Sequence, residues 1–172
     1  DFLPPESQVR EKIRAIAMKY FKLYGFLPVE TPLIEFDELM RSDSLGEEDE
    51  AVRDRYKLKD RANRNLGLRY EFTFQLKRLF KQNPNLKLPF KKYQIGENFR
   101  DEPTRLGRQR QFTQCDIDIL GDSSMKADAE CLSVSGRNRS ARLAPTETGA
   151  PWRQWRGALF RWCCRHSGEW RR

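Results

Sequence analysis

An α+β fold built on an antiparallel sheet, with helices flanking it, is what this 172-residue sequence predicts. Three patterns carry that expectation. Two long alternating segments, residues 89–100 and 111–120, are joined by a short charged loop. A shorter pair of strand-like segments flanks a polar turn. Stretches with helical spacing stand before, between and after them, and strands joined by hairpins favour an antiparallel α+β arrangement over a parallel βαβ one.

Taken in order, QVREKIRAIAMKYFKLY (residues 8–24) repeats apolar residues at three- and four-residue steps: Val9, Ile13, Ile16, Tyr20, Leu23. That spacing predicts an amphipathic helix. Pro4 and Pro5 suit its approach or first turn, and Gly25 is its stop signal. FLPVETPLIE reads as a strand broken at Pro28 and Pro32, and because proline cannot donate to a ladder it belongs at an edge or interface. RYKLKDRANRNLGLRY reads as a hairpin around Ala62-Asn63-Arg64-Asn65. TFQLKRLFKQN is helix-like, with Leu76, Leu79 and Phe80 on one side and Thr73 as its expected cap. SSMKADAECLSV opens a further helix, capped by Ser123 or Ser124.

Period-two alternation sorts the two long strands into faces. Thr113, Cys115, Ile117 and Ile119 share one face with Tyr93, Ile95 and Phe99, Glu97 being the exception. Phe112, Gln114, Asp116 and Asp118 share the other with Gln94, Gly96, Asn98 and Arg100. The apolar faces are expected to pack on helices. The polar faces are either one wet side of an antiparallel sheet or a site. The joining loop favours a site: Arg100 closes one strand, and Arg108 and Arg110 lead into the next. Arginine presents a planar fork of donors that matches phosphate. Such a sheet face has one end for polyphosphate and another for a small cation or amine.

Composition narrows the class. No apolar run reaches the 18 residues that a membrane span needs, and the opening DFLPPESQVREK lacks a secretory pattern. The four cysteines (Cys115, Cys131, Cys163, Cys164) have neither metal nor disulfide-scaffold spacing, and His166 is the single histidine. A reduced, cytoplasmic setting is expected, with no metal ligands. Of the net charge of +8, residues 135–172 carry +7.

FRDEPTRLGRQRQFTQCDIDILG resembles motif 2 of the class II aminoacyl-tRNA synthetases, and most closely that of the histidyl-tRNA synthetase family. Other segments agree in order. DFLPPE resembles that family's N-terminal stretch. YGFLPVETPLIE resembles motif 1, with Pro32 at the motif proline. LGLRYEFT resembles the segment that holds the amino acid's ammonium group, and KADAECLSV the helix start after motif 2. The resemblance covers about residues 1–134.

It implies a class II catalytic core, a homodimer built partly on motif 1, and histidine, ATP with Mg2+, and tRNA(His) as substrates and partners. Histidine would attack the α-phosphate of ATP, and the histidyl group would pass to the tRNA. Arg100 matches the arginine on the α-phosphate, whose task is to neutralise charge developing on phosphoryl oxygens. Glu102 matches the acid near adenine, Arg108 an ATP-side loop arginine, and Phe112 a ring stacked on adenine. Glu71, Thr73 and Gln114 match positions around the substrate ammonium. Asp118 matches an acid at the histidine end, where a carboxylate accepts an N–H. Arg105 and Arg110 read as solvated or tRNA-facing, and Cys115 as core. Two alternatives are a synthetase-like regulatory subunit of ATP phosphoribosyltransferase and a non-catalytic RNA-binding module.

Past about Val134 the pattern stops. No glycine-rich motif 3 follows, and lysine gives way to Arg, Trp, Gly and Ala. The core is therefore expected to be incomplete and this chain inactive. Residues 135–172 form a separate tail that fits a frame-shifted or misjoined translation best. A disordered extension and an Arg/Trp nucleic-acid binder are the other interpretations.

Overall fold

The computed structural model describes residues 1–40, 53–105, 108–143 and 161–166. The order is α1 (Glu6–Leu23), β1 (Leu27–Pro28), β2 (Ile34–Phe36), a 3-10 turn (Asp37–Met40), β3 (Lys57–Lys59), β4 (Asn65–Leu68), α2 (Thr73–Gln82), β5 (Phe90–Phe99), β6 (Gln111–Leu120), α3 (Met125–Leu143) and β7 (Arg161–His166). Two sheets form. One has the order β1-β5-β6-β7 and the other β2-β4-β3.

The centre of the larger sheet is the antiparallel β5–β6 ladder, which runs in unbroken register from Phe90↔Leu120 to Phe99↔Gln111. Its outer neighbours differ from the expected antiparallel pairing: β1 runs parallel to β5 and β7 parallel to β6. The connection from β1 to β5 contains α2 and that from β6 to β7 contains α3, and such long connections, rather than tight hairpins, are what parallel neighbours require. The segment expected to be one broken strand divides between the sheets, Pro28 lying on an edge strand. The β3–β4 hairpin forms as expected. Asp60 Oδ1 accepts from the Ala62 and Arg64 N–H groups at 2.9 Å each, and Asn63 takes a left-handed φ of 60°, which asparagine tolerates.

α1 ends in a Schellman motif. Gly25 sits at φ 76°, the Phe26 N–H reaches the Phe21 carbonyl at 3.0 Å, and the Gly25 N–H reaches that of Lys22 at 3.0 Å. Phe26 and Phe21 make the apolar contact that accompanies such a cap. The buried stripe of α1 is Ile13, Ala17 and Phe21, not the Val9-to-Leu23 line; Leu23 is 69% exposed. Counting only large apolar residues overlooked Ala17, so the face is rotated toward a four-residue step. Thr73 is not a cap either. Phe72 holds the N-cap position of α2 with no side-chain hydrogen bond to the helix.

One core lies between the apolar face of the ladder and two helices. It gathers Tyr93, Cys115, Ile117 and Ile119 with Ala17, Phe21 and Phe26 and with Ala127, Cys131 and Val134 of α3. Cys115 is fully buried there. Glu97, the exception in the pattern, stands opposite Thr113 and accepts its hydroxyl at 2.6 Å. Arg10 of α1 donates to the same hydroxyl at 2.7 Å.

Part of the segment from residue 135 onward is described. α3 continues through Leu143, and Arg161–His166 adds a strand beside β6. An unpaired strand edge offers a row of backbone donors and acceptors that a further strand satisfies. Residues 144–160 and 167–172 lie outside the described residues.

Candidate active site on the polar sheet face

The second face of the β5–β6 ladder is polar and buried. Lys92, Gln94, Asn98, Gln114, Asp116 and Asp118 all fall below 9% exposure. It is not the wet side that alternation allows. The segment between β4 and α2 crosses it, led by Arg69, Tyr70 and Phe72, all buried.

Arg69 is the centre of that crossing. Its Nη1 donates to the Thr31 carbonyl at 2.7 Å, its Nη2 to the Glu97 carbonyl at 2.7 Å, and its Nε to Asn98 Oδ1 at 2.8 Å. Its guanidinium lies 4.6 Å from the centre of the Phe72 ring. Burial lowers its pKa to about 10, partly opposed by the charge of Glu97. Gly96 makes the approach possible, because a Cβ there would stand 2.8 Å from Arg69 Nη2.

At the loop end, Arg100 is buried with its guanidinium 4.2 Å from the Tyr70 ring centre and 5.2 Å from that of Phe112. Its Nη1 lies 3.8 Å from Glu102 Oε1, and Arg108 forms an ion pair with the other oxygen of Glu102. The Arg100 N–H donates to the Arg110 carbonyl at 2.8 Å, and Arg105 and Arg108 exchange backbone hydrogen bonds. The four predicted ATP-side residues, Arg100, Glu102, Arg108 and Phe112, are thus brought together. Arg110 is exposed.

At the other end the carboxylates gather. Lys92 Nζ lies 2.6 Å from Asp118 Oδ2, so Asp118 already has a cation. Gln114 donates its Nε2 to both oxygens of Asp116, at 3.0 and 2.9 Å. Burial pushes the Asp116 carboxyl up to about 7; Lys92 and the Gln114 hydrogen bond pull it down, and the charges of Asp118 and Glu71 push it further up. Glu71 is half-buried and close enough to act on Asp116, and Thr73 is half-buried at the first position of α2. With about 3.3 Å per strand residue, the face spans roughly 20 Å between Asp118 and Phe112. Arginines predominate at the loop end, around Glu102, and carboxylates at the far end, around Lys92.

Arg69, Asn98, Asp116 and Lys92 carry this face; the sequence reading places Asn98 and Asp116 on it without an individual role and does not single out Arg69 or Lys92. Alternation alone places Lys92, Asn98 and Asp116 on it; Arg69 has no such signal. Among the described residues no group of three or more His, Cys, Asp or Glu side chains could hold a metal ion. No helix there is long and apolar enough to cross a membrane.

Comparison with known proteins identifies the family. The sequence model described as histidyl-tRNA synthetase matches residues 1–142. Histidine–tRNA ligase 1 of Bacillus cereus is 44% identical over 135 residues, 78% of this chain and 31% of that protein. The histidine–tRNA ligase of Wolinella succinogenes is 38% identical over 78% of this chain and 30% of its own length. The chain spans about a third of the length of these curated relatives. The crystal structure of histidyl-tRNA synthetase from Nostoc sp. PCC 7120 superposes with a TM-score of 0.68 at 27% identity, covering 82% of this chain and 32% of that one. A Bacillus halodurans structure described as an ATP phosphoribosyltransferase regulatory subunit/histidyl-tRNA synthetase shares the fold, with a TM-score of 0.70 at 22% identity, covering 86% of this chain and 37% of that one. With its buried two-ended sheet face and a family match from residue 1 to residue 142, the chain belongs to the histidyl-tRNA synthetase family.

Proposed function

We propose that this chain is the segment of a histidine–tRNA ligase that binds ATP and histidine on the polar face of the β5–β6 ladder, for activation of histidine to histidyl-adenylate and transfer to tRNA(His). The observation that carries the reading is the charge polarity of that face. Arg100 and Arg108 outnumber Glu102 at one end, and Glu71, Asp116 and Asp118 outnumber Lys92 at the other. A substrate pair with polyphosphate at one end and an ammonium and imidazole at the other fits that polarity.

In this reading Arg100, held between Tyr70 and Phe112, takes the α-phosphate. A guanidinium fixed in a low-dielectric site stabilises developing phosphoryl charge without reorganising. Arg108 exchanges Glu102 for ATP phosphate oxygens, which frees Glu102 for the adenine end. Gln114, Glu71 and Thr73 receive the histidine ammonium and its surroundings, and Asp118, steadied by Lys92, accepts a ring N–H. Mg2+ enters only as the ion that accompanies ATP. A homodimer and a cytoplasmic setting complete the proposal.

The experiment is calorimetric titration of the chain with a non-hydrolysable histidyl-adenylate analogue, beside the prolyl and threonyl analogues. Selective binding of the histidyl compound, lost in Arg100→Ala, is expected. Equal affinity for all three, or none for any, overturns the reading. Charging of tRNA by the longer protein that carries this segment separates a ligase from a regulatory subunit.

A further inference from the structure

A directed line of hydrogen bonds runs beneath the candidate site. Arg69 Nε donates to Asn98 Oδ1 at 2.8 Å, Asn98 Nδ2 donates to Gln114 Oε1 at 2.8 Å, and Gln114 Nε2 donates to Asp116. All four side chains are buried, so bulk water does not compete for these groups.

The two ends fix the direction. A guanidinium can only donate, and an ionised carboxylate can only accept. Turning over either amide sets donor against donor at one contact and acceptor against acceptor at another. Arg69 is itself anchored to the Thr31 and Glu97 carbonyls, and Gly96, the register partner of Gln114, leaves it room. One bond from Asn98 leaves Gln114 Oε1 a second lone pair.

We propose that Asp116 is a positioning residue: its ionised carboxylate, with Arg69 at the opposite end, holds the Gln114 amide with its oxygen as acceptor for an ammonium or ring N–H, and protonation of Asp116 releases that hold. A protonated carboxyl can donate as well as accept, so only the Arg69 end then enforces the orientation of Gln114, and the hold from the Asp116 end is lost. The functional half of the inference rests on the placement of Gln114 in the histidine site; the relay itself does not.

The surroundings make this protonation accessible. Burial is the main cause that brings the Asp116 carboxyl to about 7, with Lys92 of β5 opposing it and Asp118 of β6 and Glu71, ahead of α2, adding to it. Lys92 is shared, since it is also paired with Asp118. On the remaining edge β7 places Cys163 and Arg165 in backbone register with Asp116 and Asp118.

The test follows the side-chain amide resonances of Gln114 and Asn98 in the 15N-labelled full chain from pH 5 to pH 9. A shared transition with a midpoint near 7 is expected for both. It disappears from Gln114 in Asp116→Asn, moves up in Lys92→Met, and moves down in Asp118→Asn, where Lys92 is left to Asp116 alone. A Gln114 amide that does not titrate, or one that still titrates in Asp116→Asn, overturns the proposal. If Asp116→Asn does not fold, the opposed shifts in the Lys92 and Asp118 variants decide the matter.

Histidine binding supplies the functional arm. If binding needs the ionised form, affinity is about tenfold weaker at pH 6 than at pH 8. The ratio to Asp116→Asn at each pH cancels histidine's own titration. A flat ratio overturns the functional half. A titrating Gln114 with no histidine binding at any pH supports the relay and overturns the preceding proposal.

Discussion

On one side of the β5–β6 ladder, Tyr93, Cys115, Ile117 and Ile119 meet α1 and α3. On the other, Asn98 meets Arg69 of a crossing segment and is hydrogen-bonded in turn to Gln114 and through it to Asp116, while Lys92 pairs with Asp118. Both faces exclude water, and both belong to the same twenty residues of strand. The apolar face is held by area and close packing, which have no direction, so a change of volume is its main vulnerability. The polar face is held by matched donors and acceptors, so losing one group leaves its partners buried and unmatched. One ladder therefore serves as a core on one side and as a fixed array of dipoles on the other.

The comparison can be broken or sharpened by four substitutions, each read by urea denaturation of the full chain. Phe21→Ala is expected to cost the most, about 3–5 kcal/mol, because its ring is fully buried and packs on Phe26 and Tyr93. Arg69→Met comes next, at about 2–3 kcal/mol. It keeps the apolar stem but removes the donors to Thr31, Glu97 and Asn98. A near-neutral result would show that the polar face does not depend on its hydrogen bonds. Ile117→Val, a volume change in the middle of the apolar face, should cost about 1 kcal/mol, and a larger loss would mean that this core has less freedom to adjust than assumed.

Asp116→Asn carries the opposite sign and comes last because its effect depends on pH. The folded-state pKa of Asp116 is raised from 3.8 to about 7, so between those values the folded chain binds more protons than the unfolded one. Its contribution is fully present below 3.8 and is lost as pH rises through about 7. Asparagine removes that loss. The variant should show a flatter stability curve between pH 4 and pH 7 and exceed the wild type at pH 8, where a buried charge no longer has to be held. Equal pH dependence in the two proteins would mean that Asp116 ionises as readily when folded as when unfolded.

Much of this was legible because strands announce their faces. Alternation placed β6 at its observed bounds and sorted residues 112–119 into the two faces that the ladder shows, and the loop between β5 and β6 showed its arginines openly. The helix signals were less complete. Ala17 is too small to stand out in a hydrophobic stripe, yet it forms the middle of the buried face of α1. Thr73 has the chemistry of a cap, but Phe72 holds that position.

By itself the sequence determined the α+β class, the central antiparallel ladder, the division of its faces and the placing of Arg100 and Arg108 on the loop that joins its strands. These depend on periodicity and on neighbours close in the chain, which local sterics and hydrogen bonding dictate. Tertiary structure alone decided that the polar face is covered rather than wet, that β1 and β7 run parallel to their neighbours, and that Arg69 fixes the direction of the amides. Arg69 reaches Glu97 and Asn98 across 28 and 29 residues of chain. No period or spacing encodes such a contact. It exists because the β4–α2 segment folds over the sheet at the glycine that leaves space for a guanidinium.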